Sequence, residues 1–420
     1  MSVTLQPMSA NRSLAIALTF ALLAAGAACS STSNTTSGAT PSEAAAAADP
    51  AQAAEIMTLV ESEMAARHLR SVIVKVSVDG EEVVREARGD SMTGVPATPE
   101  MSFRNGAVAI SYVATLLLTL VDAGKVSLDD KVSTYLPELN HAGEVTVGQL
   151  ARMTSGYPDH VTDPAFVAAN SADPFRLWTV DEILAYVIDK PLSFEPGSNW
   201  GYAHTNYLIL GLVIEKITGR PMAEVMQAEV LDPLGLDHTV ASQTAAIPEP
   251  VLHSFSSERR ADLGIAPDAP FTEESTFWNP SWSITQGAVQ TSTIDDFDRS
   301  AIAIGTGELL SPESYEAMIS TDLRGFGHVQ EGCSCGPMSE FYSYGIGLVT
   351  SGDWVLQNPL FSGYASLMAY LPEQKVAISV AVTFEPGAFG ADGAYANSAD
   401  AIFREIGAIM APDAAPPTRP

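Results

Sequence analysis

The chain has 420 residues, 46% of them hydrophobic, enough apolar surface for one large or two ordinary domains with a sizeable core. Fifty acidic against 21 basic residues leave a net charge of −29 and a pI near 4.4. This charge repels a phosphate backbone or an anionic lipid surface and excludes nucleic acid as a partner, while the apolar content excludes a disordered chain.

Taken in chain order, Arg12 precedes an apolar run over 14–28 that is too short for a membrane span, so 1–28 reads as a signal peptide. Gly26-Ala27-Ala28-Cys29 resembles a bacterial lipoprotein cleavage site, which would make Cys29 an acylated N-terminus. Ordinary signal-peptidase cleavage among the same alanines is the alternative. The mature protein is expected to be exported, either lipid-anchored on the membrane facing outward or secreted. Residues 29–48, rich in Ser, Thr and Ala, read as a flexible tether.

Asp49 as N-cap, Pro50 at the first helical position and Gln52 three residues after the cap announce a helix to about His68. Residues 72–78, the turn Asp79-Gly80 and residues 81–87 carry a β-hairpin signal. From 103 to about 323 the signals are mostly helical. Thr179-Val180-Asp181-Glu182 is a capping box for a helix ending before Pro191, and a second helix over 207–217 closes at Gly219. Strands return over 344–350, 354–357, 366–371 and 375–384, followed by a helical pattern over 394–410 and a tail, 411–420, that looks frayed. Strands at both ends with helices between predict an α+β fold, with one sheet assembled from 49–105 and 340–410 and a helical part over 106–339. Cys333 and Cys335 are expected to form a loop staple or to stay free thiols, since two cysteines at this spacing make a poor zinc site. No metal or cofactor is expected.

The stretch Phe103-Arg104-Asn105-Gly106-Ala107-Val108-Ala109-Ile110-Ser111 leads into an apolar helix over 112–123, then Gly124 to Asp130 and Tyr135-Leu136-Pro137. It resembles the serine β-lactamase and DD-peptidase superfamily, especially its D-alanyl-D-alanine carboxypeptidase and class C-like branch. The resemblance covers about 50–410. It implies an antiparallel sheet flanked by N- and C-terminal helices, an all-α part, and a site between them. In that family the helix starts with S-x-x-K, where a serine is the nucleophile and a lysine on the same helix face reaches its oxygen. Here the pair is Ala107 and Ile110, with neither oxygen nor nitrogen. Both being apolar, no cation is stranded in the cleft, so the change is self-consistent.

Two further family positions are altered. The Tyr-x-Asn triplet is present as Tyr202-Ala203-His204, so the phenol is kept and a histidine able to act as acid, base or hydrogen-bond donor replaces the amide. A packed, satisfied histidine is an equally weighted alternative. Where the family places a cation, a hydroxyl and a glycine before Gly-Tyr, counting back from Gly363-Tyr364 finds Gln357-Asn358-Pro359, which removes the carboxylate anchor. Gln357 and Asn358 could still hydrogen-bond a ligand.

Ser111 lies one turn beyond Ala107 and could face the same cleft, but is more simply a helix-surface or core hydroxyl. The loop Thr154-Ser155-Gly156-Tyr157-Pro158 resembles a structural loop of the family, and Trp200, Phe277, Trp278 and Trp282 either line a pocket or fill a core. No H-E-x-x-H or P-loop is present. The expected function is that of an exported, non-catalytic binding or scaffold protein of the cell envelope, holding a peptidoglycan-like peptide or a small amide or ester. The alternatives are a hydrolase using relocated groups, Tyr202 and His204 with water or Ser111, and a purely structural lipoprotein whose cleft is filled.

Overall fold

The strand Val376–Phe384 is buried at every position, as a β-branched run between two covered faces should be. It pairs antiparallel with Leu69–Val78 on one side and Tyr364–Leu371 on the other, so the two ends of the chain meet at the centre of the sheet. The computed structural model describes residues 50–242 and 244–419, which lie within one unit spanning 46–420. The proposed signal peptide, Cys29, the tether and the Asp49 cap lie outside the described residues. Among those described, the sheet runs in the order Ser343–Tyr344, Val349–Ser351, Trp354–Gln357, Tyr364–Leu371, Val376–Phe384, Leu69–Val78, Glu81–Met92 and Val95–Pro96, with Leu360–Phe361 paired beside Tyr364–Leu371. The α+β expectation holds, as does the hairpin at Asp79-Gly80, where φ is positive at both turn residues.

Strand periodicity decides which helix covers which face. Lys75 and Ser77, on one face of the first strand, meet Asp295 and Asp298 of the helix Ile294–Gly305 at 2.8 Å each. The helices Pro50–Arg67 and Ser398–Met410 pack against each other and on the sheet. Ile294–Gly305 thus falls inside the stretch read as the helical part yet packs on the sheet, because its apolar face matches the strand pattern. The helix Val108–Asp122 lies beyond it, tied by Tyr112 Oη to Ser300 Oγ at 2.7 Å and by an edge-to-face contact between Phe103 and Phe297.

The predicted helix ends are found with their caps. Thr205–Thr218 stops at Gly219 in the left-handed region. Thr179 and Glu182 form the reciprocal capping box, but the helix it opens is only Val180–Leu184, shorter than its approach to Pro191 implied. The strand expected over 344–350 is split in two, because Gly345 and Gly347 are pressed against neighbouring chain: a β-carbon on Gly347 would lie 2.3 Å from Ala114 Cβ.

The tail is a correction. Trp354 Nε1 donates to Ala414 O at 2.8 Å, Arg404 Nη1 donates to Pro417 O at 2.6 Å, and Pro416 packs over Gly407. Proline-rich polar sequence looks frayed when read alone; here its carbonyls are acceptors for buried donors of the core. Among the described residues no helix is long and apolar enough to cross a membrane.

Candidate functional site

The start of the helix Val108–Asp122 is clamped from behind. Asn105 and Gln290 exchange two hydrogen bonds of 2.9 Å, Nδ2 to Oε1 and backbone N to Oδ1. The preceding Arg104 is 1% exposed and donates to Ser242 Oγ at 2.9 Å and Ala245 O at 2.6 Å; burial pulls its guanidinium down to about 10. Gly106 then turns the chain with φ +53°, and no side chain would fit, since a β-carbon would meet Pro359 Cβ at 2.8 Å. The framework that presents the first helical residue is therefore intact. What it presents is the methyl of Ala107.

That methyl lines a cleft of about 320 Å³ together with Tyr202, His204, Tyr342, Gln357, Asn358, Pro359, Leu360 and Asn397. The fold thus brings together Ala107, Tyr202, His204, Gln357 and Asn358, five positions that the sequence singled out across 252 residues (107 to 358, both ends counted). Ile110 is not among them: it is fully buried, and its carbonyl lies against Gly347. The predicted Ser111 is also fully buried and donates to Val108 O at 2.6 Å. As a candidate nucleophile it is ruled out, because the helix twist turns it away from the cleft into the core. Ser155 is structural as expected, donating to Asn206 Oδ1 at 2.5 Å.

Tyr202 is held at the cleft by the short strand Gly201–Tyr202, paired with Ser334–Cys335. Cys333 and Cys335 form a disulfide in that flanking loop, and Gly201 leaves room for the Cys335 sulfur. Burial, reinforced by the neighbouring Tyr342 and Asp159, pushes the Tyr202 phenol well above its ordinary range. No phenolate base is available near neutrality, so the acid/base pairing of Tyr202 with His204 reduces to a neutral hydroxyl beside an imidazole. The two rings meet edge to face with centroids 5.0 Å apart.

His204 has a partner that sequence reading missed. The carboxylate of Asp159, 8% exposed, accepts from His204 backbone N at 3.0 Å through Oδ1 and lies 3.1 Å from His204 Nδ1 through Oδ2. Burial alone would raise this carboxyl, but its interaction with His204, together with the backbone N–H of Val161, holds it below the usual range. His160 itself is pushed down to about 4, chiefly by burial and against the pull of Asp159. It stays neutral, donating from Nε2 to Trp282 O at 2.8 Å with Nδ1 turned to Thr205 Oγ1. Asp159 stands 45 residues before His204, with no periodicity linking them; the adjacent Asp159-His160 pair was the only available signal.

Gln357 and Asn358 each make an internal hydrogen bond. Gln357, 4% exposed, donates from Nε2 to Gly347 O at 2.6 Å, and Asn358 Nδ2 donates to Asp400 Oδ1 at 3.1 Å. Asn397 donates to Asn358 O at 2.6 Å. No lysine or arginine lines the cleft. Of the aromatic candidates, Trp200 packs against Tyr342 and Tyr344, Trp282 stacks on Phe361, Phe277 is partly exposed beside His253 and Trp278 lies buried near Arg259; none lines the cleft. Among the described residues no cluster of His, Cys, Asp and Glu could hold a metal.

The family model described as Beta-lactamase matches residues 56–402. The chain belongs to the β-lactamase family. Among its relatives, esterase EstB of Burkholderia gladioli is 32% identical over 197 residues, 44% of this chain and 50% of the relative. Penicillin-binding protein 4 of Amycolatopsis lactamdurans is 30% identical over 210 residues, 48% of this chain and 51% of the relative. The chain spans about half the length of these curated relatives. Two solved structures share the β-lactamase-family fold. One is a D-stereospecific amidohydrolase from Streptomyces sp., with TM-score 0.65, 24% identity and coverage of 79% of this chain and 94% of that one. The other is D-amino acid amidase from Ochrobactrum anthropi, with TM-score 0.68, 20% identity and coverage of 85% and 99%.

Proposed function

We propose that this β-lactamase-family chain binds a ligand in the inherited cleft without forming an acyl-enzyme. It would act as a binding or scaffold protein of the cell envelope, exported through 1–28 and anchored through Cys29. The observation that carries this is the methyl of Ala107 at the mouth of an otherwise retained helix start, with Ile110 sealed in the core behind it. Acyl transfer needs a nucleophile and a group to take its proton, and neither stands there. The open cleft argues against a purely structural protein, and the relatives' names support a peptidoglycan-like peptide or a small amide or ester as the ligand class.

The test is incubation of purified protein with a fluorescent penicillin, followed by intact-mass measurement, alongside turnover assays on amide and ester substrates. No adduct and no turnover are expected; a covalent adduct or hydrolysis would overturn the reading. The contact between Asp159 and His204 favours a second reading, hydrolysis by water activated at His204. Turnover abolished by His204→Ala would support it, and Ser111 has no part in it.

A further inference from the structure

The cleft has a polarity that follows from Asp159, and it deepens the binding function proposed above. Asp159 Oδ1 accepts from the backbone N of His204 at 3.0 Å and of Val161 at 3.4 Å, while Oδ2 is directed at His204 Nδ1. A carboxylate only accepts, so the ring nitrogen facing it must carry the proton. The other ring nitrogen, Nε2, has no hydrogen-bond partner among the described residues, and the residue lines the cleft. The groups that face His204 are Asp159, the neutral His160 ring at 6.0 Å, the Tyr202 ring at 5.0 Å and Trp282 at 6.1 Å. Among the described residues no second charged side chain is in contact with the imidazole.

We infer that Asp159 is a positioning residue that locks His204 in the Nδ1–H form, and that the cleft therefore selects an uncharged carboxamide over the corresponding carboxylate. A carboxamide offers an N–H to the imidazole lone pair and a carbonyl to a neutral tyrosine hydroxyl, Tyr202 or Tyr342. A carboxylate offers only acceptors. It would set an oxygen against the Nε2 lone pair and shed water without a cation to meet it, since no lysine or arginine lines the cleft and Gln357 and Asn358 each commit an amide hydrogen to Gly347 O and Asp400.

The same geometry says what Asp159→Asn should do. The atom replacing Oδ1 must remain an oxygen, because the His204 backbone N–H is an obligate donor. The atom replacing Oδ2 then becomes an NH₂ facing Nδ1, which forces Nδ1 to accept and moves the proton to Nε2. The cleft would change from acceptor to donor with the shape of the pair retained.

Full-length protein is titrated calorimetrically with N-acetyl-D-alaninamide and with N-acetyl-D-alanine at about pH 8, and His204 is read by nitrogen-15 NMR, its signals assigned by their loss in His204→Gln. The expected result is the Nδ1–H tautomer, the amide bound at least about tenfold more tightly than the acid, and both features inverted or erased in Asp159→Asn. If Asp159→Asn fails to fold, His204→Gln replaces it, because a side-chain amide that both donates and accepts must also lose the preference for the amide ligand. Three results would each overturn the proposal: an Nε2–H tautomer in wild type, equal or tighter binding of the acid at about pH 8, or no binding of the amide at concentrations of about 10 mM. Ammonia released during the titration would instead overturn the non-catalytic function while the NMR tautomer still decides this one.

Discussion

Gly106 and Pro359 approach so closely that a β-carbon on the glycine would lie 2.8 Å from the proline β-carbon, and this contact sets the spacing between the helix start and the strand side of the cleft. The glycine also sits at φ +53°, where a side chain is strained. Gly106→Ala is expected to destabilise by about 2–3 kcal/mol from the strained dihedral and the overlap together, measured by urea denaturation. Gly124→Ala, with a similar φ of +66° but nothing within 4 Å, should lose only the dihedral part.

Placing serine at 107 and lysine at 110 should not create acyl transfer in one step. Ala107→Ser places a hydroxyl in the cleft and should fold normally. Ile110→Lys puts an ammonium where the side chain is fully buried, with no acid facing the cleft to meet it, and should cost about 2–4 kcal/mol. The double variant is expected to unfold at lower temperature and to remain unlabelled by penicillin. Labelling at wild-type stability would show that the lysine finds room which the buried isoleucine does not reveal.

His160 supplies a dependence on pH. Its folded value, about 4, lies below the ordinary 6.5, so the native state holds it neutral while the unfolded chain takes up a proton. Its contribution is therefore fully present above 6.5 and is lost as pH falls through 4. The shift corresponds to about 3 kcal/mol at most. Chemical denaturation at stepped pH should show stability falling across this window, and His160→Gln should be less stable at neutral pH but flatter below it.

The disulfide of Cys333 with Cys335 closes a short loop, and its partner strand carries Tyr202. Replacing both cysteines by serine should cost about 1–2 kcal/mol, because a short loop leaves little chain entropy to remove. Hydrogen exchange should quicken at residues 201–202 and 334–335 ahead of the sheet.

Removing residues 412–420 leaves Trp354 Nε1 and one Arg404 donor without their carbonyls. The truncated chain is expected to lose about 1–3 kcal/mol, read as a lower thermal midpoint. A frayed tail would leave the midpoint unchanged.

The periodic elements were legible because their signals are local. The hairpin turn, the Thr179 capping box, the stop at Gly219 and the apolar strand over 376–384 each act within a few residues. The tail and the strand broken at Gly345 and Gly347 were misread because what decides them is contact with distant chain. Ser111 shows the same limit: helical spacing puts it near Ala107, and only the packing of the helix tells which way it faces.

By itself the sequence determined the α+β architecture, the family resemblance and the apolar pair Ala107 and Ile110 at the helix start, since these depend on residue identity and short-range spacing. Only the tertiary structure decided that an open cleft survives beside Ala107, that Gln357 and Asn358 are turned to internal bonds, and that Asp159 stands behind His204. A hydrogen bond across 45 residues leaves no trace in local propensity. It exists because the fold buries a carboxylate where the histidine is the donor that can satisfy it.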